Sequence, residues 1–169
     1  QVEFFSDVLP ALQRLSERYP LLTVTNGNAD IERLGITHFF TGQVTARAAG
    51  ISKPDPRIFE IASEALGEIP EAVLHVGDHP MDDVLGALNA GFQAVWINRR
   101  FEAWAHERRP NAEVTTLIEL ADLLENKCLS SVSCQKNGET KTASGDQQRG
   151  DGVTVSMKVS NRCSGWSRK

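Results

Sequence analysis

The chain has 169 residues, of which 24% are charged and 40% hydrophobic, with a formal net charge of −4. That length supports one domain with a real core and gives no reason to expect two. No run approaches the roughly 20 apolar residues that span a bilayer, and no basic stretch followed by an apolar one opens the sequence, so a cytoplasmic protein without a membrane partner is expected. Residues 1–126 hold 10 Lys and Arg against 19 Asp and Glu, a net of −9, whereas residues 127–169 hold 8 against 3, a net of +5. An acidic body argues against nucleic acid as its partner, because phosphate backbones are held by Lys and Arg. Cys128, Cys134 and Cys163 all lie in the basic tail, at spacings that match no zinc pattern.

Taken in chain order, the first element predicted is a helix between Ser6 and Tyr19, with Val8, Leu9, Leu12 and Leu15 at helical spacing and Ser6 placed to cap it. It begins almost at once after Gln1, so further chain upstream is expected. Leu21–Thr25 reads as a buried strand stopping at the turn Asn26-Gly27, and a second strand is predicted near Gly42–Thr45. Asp55-Pro56 supplies an N-cap and a first-turn proline for a helix to Leu66, closed by Gly67. Ala72–Gly77 is another buried strand, followed by a loop, a helix from about Asp82 to Asn89 and a strand over Phe92–Ile97. Ala112–Val114 is a short last strand of the body, and Thr116 with Glu119 forms a capping box for a helix over Leu117–Leu124. Strand and helix alternate and the strands are continuously apolar, which predicts an α/β fold with a parallel sheet covered on both faces. Beyond residue 126 the periodicity is lost, and a disordered, low-complexity tail is expected, in which only Val153–Val159 alternates like a strand.

Three groups carry chemistry. Thr25-Asn26 ends a buried strand, where a hydroxyl and exposed N–H groups can meet phosphate oxygens; an ordinary Asn-Gly turn accounts for the same residues. Lys53 stands directly before Pro54, which restricts its backbone and aims a cation at a fixed place, although Lys-Pro also occurs in exposed loops. In Gly77-Asp78-His79-Pro80-Met81-Asp82-Asp83, the carboxylates of Asp78 and Asp83 can converge from the loop and the following helix as hard oxygen ligands for magnesium. Stabilisation of a helix N-terminus would explain Asp83 but not Asp78. His75, inside an apolar strand, reads as a core histidine; His79 lies close enough to contact substrate or to cover the loop, and Arg99 is read as solvated.

With Thr25 at a strand end, Lys53 in SKPDPRIF, and VGDHPMDDVLGALNAG, residues 1–126 resemble the haloacid dehalogenase superfamily in its second, third and fourth motifs. The wording VTNGN, KPDPRIFEIA and HVGDHPMDDVLGA is similar to the branch that includes flavin mononucleotide and pyrimidine-intermediate phosphatases. The resemblance implies a three-layer Rossmann-like core and a magnesium-dependent phosphatase of small phosphorylated metabolites, acting through an aspartyl-phosphate. It implies that Thr25 binds the phosphoryl group, with Asn26 adding a hydrogen bond. It further implies that Lys53 neutralises nucleophile and phosphate, that Asp78 ligates Mg2+, and that Asp83 supports the ligand shell.

No Asp-x-Asp motif occurs before Thr25, so the nucleophile, the acid/base and the cap are expected to be absent and the chain inactive by itself. In the family the first strand is central, between the strands ending at Thr25 and Gly77. Its loss would leave two rows of backbone groups unpaired, each costing about 1–3 kcal/mol if buried. Three outcomes stay open: the tail strand 153–159 fills the gap, the flanking strands pair directly, or the fold packs poorly. A haloacid dehalogenase-like hydrolase and a non-catalytic magnesium- or phosphate-binding remnant are the alternatives to the phosphatase; the pair Asp78 and Asp83 favours the phosphatase, because dehalogenases need no metal.

Overall fold

A computed structural model describes residues 4–27, 31–129 and 154–158. Helix α1 (Val8–Ser16) buries Ala11, Leu12 and Leu15. Its N-cap is Asp7 rather than Ser6, and the Asp7 carboxylate serves a different helix. It accepts from Arg99 Nη2 at 2.9 Å and from the Leu117 N–H at 2.7 Å, so Arg99, expected in solvent, is half-buried in an ion pair. Strand β1 (Leu21–Thr25) is buried throughout and pairs in parallel with β2 (Gly42–Thr45), Val24 facing Val44. A short helix α2 (Ala46–Ala49) leads to α3 (Pro56–Leu66), whose capping carboxylate, Asp55, accepts from the Arg57 N–H at 3.0 Å. Gly67 ends α3 at φ +66°, a conformation that costs glycine nothing and other residues about 1–2 kcal/mol.

Strand β3 (Val73–Gly77) runs into a π-helical turn over Pro80–Leu85, which continues as α4 (Gly86–Asn89). Strands β4 (Gln93–Ile97) and β5 (Ala112–Val114) extend the sheet in parallel, and α5 (Leu117–Leu129) closes the body. The Thr116 hydroxyl accepts from the Glu119 N–H at 3.1 Å, while the Glu119 carboxylate reaches back to the Thr115 N–H at 2.7 Å, so the box forms one residue wider than predicted. Helix α5 runs past residue 126, where the boundary between core and tail is expected. Residues 130–153 and 159–169, with Cys134 and Cys163, lie outside the described residues, as does the side chain of Cys128.

The expected α/β fold, a Rossmann-like sheet with helices on both faces, is present; the correction is confined to the centre of the sheet, which is occupied, and by a strand that is not parallel. The sheet has six strands in the order β2-β1-β6-β3-β4-β5, and β6 (Thr154–Lys158) occupies the slot between β1 and β3. It is antiparallel to both neighbours, with Ser156 opposite Leu22 on one side and His75 on the other, so the sheet is mixed. Of the three outcomes left open, the tail strand fills the gap. The physical reason is twofold. Two rows of N–H and C=O groups would otherwise face each other unpaired. The alternation of Thr154, Val155, Ser156 and Met157 also gives β6 a different surface for each side of the sheet.

Helices cover both faces. Against α1 and α5 the sheet packs Leu21, Leu74, Val76, Val95, Val114, Val155 and Met157, an apolar layer. Against α3 and α4 it packs Leu22, Val24, Val73, Ala94 and Trp96, and here the period of two also brings in Thr154, Ser156 and His75. Among the described residues, no helix is long and apolar enough to cross a membrane.

Candidate active site

The carboxyl ends of the parallel strands meet at one rim, and the polar side chains of the α3/α4 face gather beneath it. Asn26, in the turn after β1, brackets the backbone of Lys53: its Oδ1 accepts from the Lys53 N–H at 2.7 Å and its Nδ2 donates to the Lys53 carbonyl at 2.9 Å. The Lys53-Pro54 peptide is cis. Held in this way, Lys53 sends its ammonium inward; the residue is 5% exposed, and Nζ donates to the Val24 carbonyl at 3.1 Å, to Asp83 Oδ1 at 2.6 Å and to the Thr154 hydroxyl at 2.6 Å. The Thr154 hydroxyl in turn donates to the Val24 carbonyl.

Asp83 reaches this point because of the turn that precedes it. His79 caps the π-helical segment, its Nδ1 accepting from the Asp82 N–H at 3.1 Å, and its own N–H donates to Asp83 Oδ2 at 3.0 Å. The carboxylate lies flat against Gly77, where any Cβ would collide with it; this close approach is why the strand must end in glycine. His75 Nε2 stands 3.4 Å from Asp83 Oδ1, and its Nδ1 is 2.7 Å from the Ser156 hydroxyl. Complete burial pushes the His75 pKa down, so the ring is neutral, and the partners assign the proton to Nε2, facing the carboxylate. Burial works to raise the Asp83 carboxyl, but the hydrogen bond from His75 and the charge of Lys53 outweigh it and hold the group well below the usual carboxylate range.

Asp78 sits in the same loop without joining this cluster. Its carbonyl accepts from Trp96 Nε1 at 3.0 Å, while its carboxylate is partnered by no described side chain. The residue is exposed, yet partial burial of the carboxyl raises its pKa, and repulsion from Asp83 adds to the rise. Thr25 is buried, and its hydroxyl accepts from the Gly27 N–H at 3.1 Å. Strand alternation sends its side chain toward the α1/α5 side, although the carbonyl of its neighbour Val24 holds Lys53. The structure therefore joins Asn26, Lys53 and Asp83 directly and sets Asp78 and Thr25 at the same rim without bonding them to the pair. Sequence reasoning missed Thr154 and Ser156, whose only local signal was hydroxyls at alternate positions of VTVSMKV. A cleft of about 380 Å3, lined by Tyr19, Leu21, His38 and Thr41, opens at the other rim, where β1 begins.

The profile of the haloacid dehalogenase-like hydrolases matches residues 1–91, more than half of the chain. The chain belongs to the haloacid dehalogenase-like hydrolase family. It is similar to 5-amino-6-(5-phospho-D-ribitylamino)uracil phosphatase YigB of Escherichia coli (strain K12), 34% identical over 67% of this chain and 49% of that protein. Phosphoserine phosphatase of Thermus thermophilus is 39% identical over 59% of this chain and 42% of its own length. Among solved structures, 2-haloacid dehalogenase from Pseudomonas syringae pv. Tomato DC3000 superposes with a TM-score of 0.73 at 41% identity, covering 75% of this chain and 55% of that one. The chain thus spans about half the length of the curated relatives it matches.

The magnesium ion that the family implies can be tested against the donors present. Among the described residues, no three His, Cys, Asp or Glu side chains cluster to hold a metal. Both oxygens of Asp83 are engaged, Oδ1 by Lys53 and Oδ2 by the His79 N–H. Asp78 fits as a ligand, since its carboxylate is partnered by no described side chain and a cation beside it would relieve the repulsion from Asp83. Asp83 fits only as the charge behind that ligand.

Proposed function

We propose that this chain carries the phosphoryl- and metal-binding part of a magnesium-dependent hydrolase of small phosphate monoesters. What carries this reading is the buried pair of Lys53 and Asp83 at the carboxyl rim of the sheet. Removing two charges from water costs several kcal/mol per ion, so an apolar pair of the same volume would serve stability at least as well. A fixed ammonium is useful where a phosphate and an attacking carboxylate bring like charges together. Asn26 fixes the Lys53 backbone, Lys53 offsets the negative charge, and Thr25 presents its end of β1 to the phosphoryl group. Asp78 would hold magnesium, which when bound polarises the phosphoryl oxygens, and Asp83 holds the Lys53 side chain in place.

In this reaction class a carboxylate oxygen attacks phosphorus, an O–P bond forms, the ester P–O bond breaks, and the leaving alcohol takes a proton; water then releases phosphate from the aspartyl-phosphate. The sequence has no Asp-x-Asp pair to supply those carboxylates, and the 169 residues on their own are expected to turn nothing over. The test joins the chain to a segment bearing an Asp-x-Asp strand and follows p-nitrophenyl phosphate with magnesium. Phosphate release that Lys53→Met abolishes is expected. No release from a folded, completed protein defeats the proposal, and release from the present chain alone shows that the nucleophile has been misplaced. Likeness to a 2-haloacid dehalogenase at 41% identity favours one second reading, halide release from 2-chloropropionate, which the same protein tests without metal.

A further inference from the structure

An ammonium has three N–H donors, and all three of Lys53 are committed within the protein, to the Val24 carbonyl, Asp83 Oδ1 and the Thr154 hydroxyl. With the residue 5% exposed, no donor remains for a ligand in this arrangement. We propose that β6 plugs the site: the Thr154 hydroxyl stands where an anion oxygen would bind Lys53, and the ammonium becomes available only when the start of β6 withdraws. This rests on the phosphoryl-binding role given to Lys53 above.

The three acceptors differ in how firmly they are held. Val24 belongs to β1, which is paired on both edges, and Asp83 is tied by the His79 N–H and stands beside His75. Thr154 is the first residue of β6, and it sits at the end of the ladder. It lies opposite Val24 on β1, whereas the pairing with β3 begins only at Val155 opposite Val76. Strand ends open at lower free energy than strand centres, so freeing Thr154 requires only the first step of β6 to part. Val155 and Met157, buried against α1 and α5, keep the remainder of the strand in the sheet. Thr154 also donates to the Val24 carbonyl, so its departure releases one donor of Lys53 and leaves that carbonyl to the ammonium. A phosphate oxygen accepts the released donor more strongly than a neutral hydroxyl does, because the hydrogen bond is charge-assisted on both sides.

The experiment uses the full chain as wild type, Thr154→Ala, Thr154→Ser, and Thr154→Ala combined with Lys53→Met. Inorganic phosphate is titrated calorimetrically in the presence of magnesium, and Lys53 is labelled with an amine-reactive reagent read by peptide mass spectrometry. Thr154→Ala is expected to bind phosphate about tenfold more tightly than wild type, the equivalent of one hydrogen bond to a charged group. It should also label faster at Lys53, Thr154→Ser should behave as wild type, and Lys53→Met should remove the gain. Equal phosphate affinity and equal labelling in wild type and Thr154→Ala overturn the plug while leaving Lys53 as an anion ligand. Faster labelling with no phosphate bound by either protein supports the plug and overturns the phosphoryl-binding role beneath it. Should Thr154→Ala fail to fold, the wild type decides alone. Labelling of Lys53 in step with amide exchange of Thr154, and ahead of β3 and β4, supports the plug; protection of Lys53 as strong as that of β3 and β4 refutes it.

Discussion

Two ionic networks in this molecule have similar contact distances and opposite surroundings. Beneath the rim, Lys53 meets Asp83 at 2.6 Å with both side chains almost wholly buried. Between α1 and α5, Arg14 meets Asp122 at 2.7 Å and Glu125 at 2.9 Å with about a third of its side chain exposed. Distance therefore does not rank them. Solvent screens the second network, and α1 is held on α5 by Leu12, Leu15, Leu120 and Leu124 beneath it. The first lies where water does not compete, so each member depends on the others for its hydrogen bonds and its place.

Removing one partner from the interior network should have the largest effect. Asp83→Ala leaves the Lys53 ammonium buried without its counter-charge and is expected to cost about 3–5 kcal/mol in urea unfolding. A loss no greater than that of a surface substitution would mean that water reaches Lys53 and that the contrast between the networks is false. His75 sharpens the comparison through pH. Its folded pKa lies below the ordinary value of 6.5, so as pH falls below 6.5 the unfolded chain takes up a proton that the folded chain refuses. Stability should then fall with decreasing pH by up to about 1.4 kcal/mol per pH unit, until the folded-state pKa is reached. The His75→Gln variant should lose that slope. Asp83, also held low, adds a loss of the same sign further into acid, below the ordinary carboxylate value of 3.8. At the bottom of the scale, Arg14→Ala should move the thermal midpoint least, and added salt should erase what remains. A shift from Arg14→Ala comparable to that from Asp83→Ala would break the comparison.

Much of this was legible locally. The strand Leu21–Thr25, the cap at Asp55, the helix to Leu66 and the strand at Ala112–Val114 follow from apolar runs and turn residues that need no distant partner. Lys53 and Asp83 were singled out as two residues of one site from wording alone. Their direct contact, and the place of His75 beside it, were not legible, because a histidine in an apolar strand carries no mark of what faces it. Asp7 shows the same limit: it lies at the start of one helix, and its carboxylate serves Arg99 and the first turn of another more than a hundred residues away.

The amino-acid sequence by itself determined which segments become strands and helices, and that polar residues stand at the strand ends, since both follow from short-range sterics and from periods of two and 3.6 residues. Only the tertiary structure decided what fills the middle of the sheet. The direction of β6, its seat between β1 and β3, and the hydroxyl it presents to Lys53 depend on pairing residues 21–24 and 73–76 with residues 154–158. A strand of five residues fits either direction equally well on its own pattern. In the antiparallel direction it takes between the two edges, Thr154 stands beside the buried ammonium.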